Sequence, residues 1–78
     1  MPTSRMLIGG GGDHRQKTSW PEVVGMGFLW AAMKIRIDRP DVDVEVHKVG
    51  DSVEPGYNNK RVRMFIYSGV VAQTPVIG

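Results

Sequence analysis

Cysteine is absent from the 78-residue chain, so neither a disulfide framework nor a Cys-based zinc site can hold it together. Aromatic residues make up only 8% of it, and no hydrophobic run approaches the ~18 residues that a membrane span requires. The amino end offers Arg5 and one short apolar cluster, Met6, Leu7 and Ile8, short of the roughly 7–15 apolar residues of a signal peptide. An excess of one charge is missing too. Ten basic residues against eight acidic ones leave a net charge of +2 with the signs interspersed, too weak to point to a nucleic acid. These absences make the cytosol the expected compartment and leave neither a membrane nor a nucleic acid among the expected partners. A chain this short buries only about 60% of its unfolded surface, so its apolar core must suffice without covalent or metal support.

Glycine, by contrast, is abundant, and four of the ten stand together at Gly9–Gly12. A phosphate cradle would need a Lys and a Ser or Thr directly after its last glycine, whereas Asp13 follows here. The run reads instead as a linker, which makes residues 1–16 a flexible Gly-rich tail and 17–78 the folded domain.

Within the domain, Trp20-Pro21-Glu22 predicts a rigid opening with Trp20 in the core, because proline fixes φ beside a large apolar ring. The stretch from Phe28 to Arg39 contains neither Gly nor Pro and stops before Pro40, which predicts a helix with Gly27 at its cap. Phe28, Ala31, Ala32 and Ile35 then form its buried face. Val42, Val44 and Val46 alternate with Asp43, Glu45 and His47, the pattern of a strand with one wet face. Residues 62–67 predict a second, central strand, and Val70-Val71-Ala72 an edge segment. Between the first two strands, residues 50–60 form a loop well above the usual ~4–6 residues, and loops of that length are commonly functional or disordered.

The chemistry on offer is sparse. His14 and His47 have no second His or Cys at ligand spacing, so no metal site and no general base is expected, and nothing places an oxyanion hole near Ser52. Arg61 and Arg63 share one face of their strand, which makes either a solvated edge or two guanidiniums aimed at the long loop or at a phosphate.

The blocks KTSWPEVVG at 17–25, DRP at 38–40, VDVEVHKVG at 42–50 and RVRMFI at 61–66 are ungapped through Phe65, and a closing proline and Gly78 complete them. This pattern resembles the potato inhibitor I family of serine-protease inhibitors, in particular its disulfide-free cereal-seed members. The resemblance implies an α+β fold in which a single helix packs on a small mixed sheet and a long exposed binding loop joins two parallel strands. It implies a non-enzymatic inhibitor of a subtilisin-like or chymotrypsin-like serine protease, working without a cofactor, with plant defence or control of proteolysis as its setting. The binding loop would comprise Val53, Glu54, Pro55, Gly56, Tyr57 and Asn58, with the scissile-bond position between Pro55 and Gly56. Arg61, Arg63 and Gly78 would brace it from beneath.

Three departures from the family pattern matter. Pro55 fills the position that enters the enzyme's primary pocket, and it has no N–H to donate. Gly56 stands where relatives usually carry an acid, which takes a carboxylate away from the arginines; Glu54 is expected to supply one instead, held extended by the following proline. On the helix, Leu29, Trp30, Met33 and Ile37 form an apolar line at positions that relatives leave largely polar. Such a line marks either a partner or dimer surface on an otherwise monomeric protein or a helix more deeply covered by the tail. The alternative reading is a relative that has lost inhibition and acts as a storage or protein-binding module through this helix.

Overall fold

A computed structural model describes residues 17–78. The tail expected over 1–16, with its glycine run and His14, lies outside the described residues.

The chain opens with a 3₁₀ turn at Pro21–Val23 and continues into helix α1, Phe28–Asp38. Strands follow at β1, Asp43–Lys48, β2, Arg61–Tyr67, β3, Val70–Val71, and β4, Val76–Ile77. Strand β2 is central, as its apolar run predicts. It pairs in parallel with β1, from Asp43 opposite Arg61 to Lys48 opposite Ile66, and antiparallel with β3 and β4. Since β1 occupies the whole of one edge of β2, the two short strands share the other. β4 has no counterpart in the sequence reading. It is held by Ile77 N–H donating to the Thr18 carbonyl at 2.9 Å and by a bridge between Ser19 and Val76.

One side of the sheet and α1 enclose the core, in which Trp20, Val23, Ala31, Ile35, Val42, Val62, Met64 and Val71 are buried. A fully buried side chain of this kind contributes roughly 1.5–3 kcal/mol. Gly27 caps α1 without a side-chain hydrogen bond, and the helix ends at Asp38, one residue before the sequence reading places its end. Asp38 is itself buried, accepting the Trp20 indole N–H at 3.0 Å and the Lys34 ammonium at 2.6 Å. The first tryptophan is thus both core and clasp, tying the chain's entry to the helix end.

The alternation expected on β1 holds only in part. Val42 is buried and Val44 packs against the core, but Val46 is 42% exposed although its register partner Met64 is buried, because β1 is the edge strand and has no neighbour on its outer side. The supposedly wet face is half-covered instead: His47 stacks on Phe65 with ring centroids 5.5 Å apart. That second face of the sheet carries the long loop.

Candidate functional site

Parallel register puts Asp43 beside Arg61, Glu45 beside Arg63 and His47 beside Phe65, so two guanidiniums and two carboxylates share the sheet face opposite α1. The connection from β1 to β2, residues 49–60, is anchored at both ends. At its start Lys48 N–H donates to Asp51 Oδ2 and Asp51 N–H to the Lys48 carbonyl, each at 2.9 Å. At its end Asn58 Oδ1 accepts from Lys60 N–H at 2.9 Å, and Lys60 reaches Asp41 at 2.7 Å. Asp41 also receives two parallel bonds from the largely buried Arg39, both 2.9 Å. Hydrogen bonds from Arg39 and then Lys60 hold the Asp41 carboxyl well below the usual carboxylate range.

Between those anchors every residue except the half-buried Val53 is exposed, Tyr57 to 76%. The grip comes from β2. Arg63 Nη2 donates to the Glu54 carbonyl at 2.6 Å, and Arg61 Nη2 donates to the Gly56 carbonyl at 2.7 Å. The same Arg61 binds the main-chain oxygen of Gly78 through Nη2 and, at 3.2 Å, through Nε, while Gly78 N–H returns a bond to the Arg61 carbonyl at 2.9 Å. Gly78 O also accepts from Asn58 N–H at 3.2 Å. Pro55 therefore stands between two carbonyls that are each held by a guanidinium, and the loop's exit is tied to the last residue.

The structure settles where the two arginines aim: at the loop. It also corrects the role expected of Glu54, which offers Arg63 its main-chain carbonyl, a group that every residue has, rather than its carboxylate. The carboxylate beneath Arg63 belongs to Glu45, 3.5 Å from Nε and 3.0 Å from His47 Nε2. Hydrogen bonding to His47 holds the Glu45 carboxyl below its ordinary value, against some desolvation and with help from the Arg61 and Arg63 charges. The sequence reading missed Glu45. Its signal is an acid on one strand in the same phase as arginines on the next, visible only once the register is known.

Gly56 adopts φ +110°, outside what side-chain-bearing residues readily take, and the chain bends there. The bend matches the turn propensity of Pro-Gly and departs from a fully extended loop. Among the described residues, no group of three His, Asp or Glu side chains is placed to hold a metal ion, and no helix is long and apolar enough to cross a membrane. The helix residues Leu29, Trp30, Met33 and Ile37 lie away from this site and stay exposed.

The family model described as the potato inhibitor I family matches residues 10–78. Among proteins of known name, the chain is 43% identical over 63 residues to Subtilisin inhibitor 1 of Phaseolus angularis, covering 80% of this chain and 68% of that protein. It is 40% identical over 67 residues to Subtilisin-chymotrypsin inhibitor CI-1A of Hordeum vulgare, covering 86% and 77% respectively. Among solved structures, the crystal structure of bitter gourd trypsin inhibitor superposes with a TM-score of 0.77 at 35% identity, over 80% of this chain and 93% of that one.

Proposed function

The chain belongs to the potato inhibitor I family, and on that premise we propose that residues 53–58 are the segment it presents to a serine protease. It is a non-enzymatic serine-protease inhibitor, with subtilisin-like and chymotrypsin-like enzymes as its targets and control of proteolysis as its role. The observation that carries this reading is the pair of guanidiniums gripping the carbonyls on either side of Pro55.

Two consequences follow from that grip. A loop already fixed before docking loses little conformational entropy on binding, so its contacts appear as affinity. Further, if the enzyme attacks the Pro55 carbonyl and the bond to Gly56 breaks, neither product end departs. The acyl side stays on Arg63 through Glu54, and the amine side stays on Arg61 through Gly56, both anchored to one strand. The new amine is held near the acyl-enzyme at high effective concentration, which favours re-formation of the bond over hydrolysis.

Pro55 works against affinity, since it lacks the N–H that an extended inhibitor residue donates to the enzyme. The φ of +110° at Gly56 favours the second reading, a binding module whose loop no longer inhibits. Titration of subtilisin and of chymotrypsin, with Pro55→Leu alongside and products identified by mass spectrometry, separates the two. Stoichiometric inhibition by the natural sequence supports the inhibitor. Inhibition by Pro55→Leu alone means that the scaffold is intact and the natural loop serves something else.

A further inference from the structure

Helix α1 carries an apolar stripe on its outer side: Leu29 is 69% exposed, Trp30 67%, Met33 52% and Ile37 71%. We propose that this stripe is where two copies of the chain associate, helix against antiparallel helix, around a two-fold axis at Met33. This association does not depend on the loop's role.

The spacing supports a self-complementary contact. Leu29, Met33 and Ile37 are four residues apart and lie along one line of the helix, with Trp30 beside it. An isologous interface requires each patch to meet its own counterpart in reversed order. About Met33, reversal sets Leu29 of one copy against Ile37 of the other and Trp30 level with Arg36, while the two Met33 side chains meet at the axis. Apolar groups thus face apolar groups at the Leu29, Met33 and Ile37 levels, and the Arg36 guanidinium lies at the level of the partner copy's Trp30 ring, a face that attracts a cation. The stripe has no acidic residue, and Arg36, exposed at its edge, falls on the rim where its charge stays in water. Antiparallel alignment also places the positive end of each helix dipole beside the negative end of the other.

The area is sufficient, narrowly. At the exposures found, the four side chains leave roughly 500 Å² of apolar surface per copy, so two copies cover at most roughly 1,000 Å², the lower limit for a specific interface. Association is therefore weak and concentration-dependent. Because α1 covers the Val62 and Met64 face of β2 while Arg61 and Arg63 hold the loop on the other, the paired molecule carries its two loops facing outward. Each copy remains able to engage a separate partner.

Sedimentation equilibrium of the full chain from micromolar to millimolar concentration tests this. The mean mass should climb from 8.6 kDa toward twice that value, and Met33→Lys should hold it at the monomer value with an unchanged melting temperature. The chain has no cysteine, so a single introduced thiol reports its own neighbour. Met33→Cys should oxidise to a cross-linked pair at least tenfold faster than Gln73→Cys, which is exposed on another part of the molecule. A mass of 8.6 kDa at every concentration overturns the proposal, as does association that survives Met33→Lys, or equal cross-linking rates for the two thiols.

Discussion

Removing the Arg63 fork isolates the grip on the upstream half of the loop. Its Nη2 bond to the Glu54 carbonyl is 2.6 Å long and joins a charged donor to an exposed acceptor. Hydrogen bonds to charged groups contribute ~1.5–3 kcal/mol, and the exposure of Glu54 puts this one at the lower end, because water can replace the donor. The Glu45 contact at 3.5 Å adds little, since partly exposed ion pairs contribute about 0–1 kcal/mol. Together these give about 1.5 kcal/mol of loop order, or roughly a tenfold rise in inhibition constant when it is lost. Arg63→Ala would also strip a stem whose side chain is only 15% exposed, so Arg63→Met, which keeps that packing while dropping the donors, is the cleaner variant. The assays are inhibition of subtilisin and the rate of cleavage near Pro55, followed by mass spectrometry. Arg63→Met should raise both about tenfold with little change in global stability. If the inhibition constant and the cleavage rate both stay within twofold of the natural protein, the grip on Glu54 does not preorganise the loop.

Gly56→Ala should strengthen inhibition a few-fold: φ +110° is strained for alanine by ~1–3 kcal/mol, and the loop would relax toward the extended form that a protease cleft accepts. Weaker inhibition by this variant would show that the bend is the docking shape. Trp20→Phe should lower unfolding free energy by ~1.5–3 kcal/mol in urea titrations, because the buried Asp38 carboxylate loses its indole donor, while inhibition persists in the folded fraction. Stability should fall with acid: the Asp41 and Glu45 carboxyls are both depressed in the folded state, so their contribution is complete above their unfolded values of 3.8 and 4.5 and disappears as pH drops through the folded ones. Melting temperatures between pH 7 and pH 2 should show Glu45→Gln and Asp41→Asn each flattening this slope. Glu54→Ala should leave the inhibition constant within about twofold, since Arg63 holds a main-chain atom; a tenfold loss would restore the carboxylate to the brace.

How much of this was readable depends on the range of the interaction concerned. The run Val62–Tyr67 and the alternating Val42 and Val44 are local patterns, and the core follows them. Val46 breaks the pattern because exposure there is decided by the place of β1 at the edge of the sheet, which no window of neighbouring residues contains. β4 is two residues long, too short for any period, and exists because β2 has an open edge beside Thr18. Period-two spacing puts Arg61 and Arg63 on one face, so the donors of the brace were legible. Their acceptors were not, as a carbonyl oxygen has no signature in sequence. Glu45 lay in plain view on the polar phase of β1, but only the pairing of Glu45 with Arg63 across the parallel strands gives it meaning.

The placement of these charges bears on how the loop tolerates its own sequence. Gly56 puts no carboxylate at the apex, and Arg63 does not hold that of Glu54. Two guanidiniums on that face of the sheet disfavour one another as like charges, and β1 sets a carboxylate opposite each, Asp43 across from Arg61 and Glu45 across from Arg63. Glu45 supplies the one beneath Arg63 and is oriented by His47, which is itself fixed against Phe65. The parts that set loop shape are therefore main-chain atoms of residues 54, 56 and 78 and side chains embedded in β1 and β2. The side chains at Glu54 and Tyr57 project from this frame without supporting it, so recognition can change at those positions while the frame stays in place, whereas the Pro55 ring also restricts the backbone it belongs to.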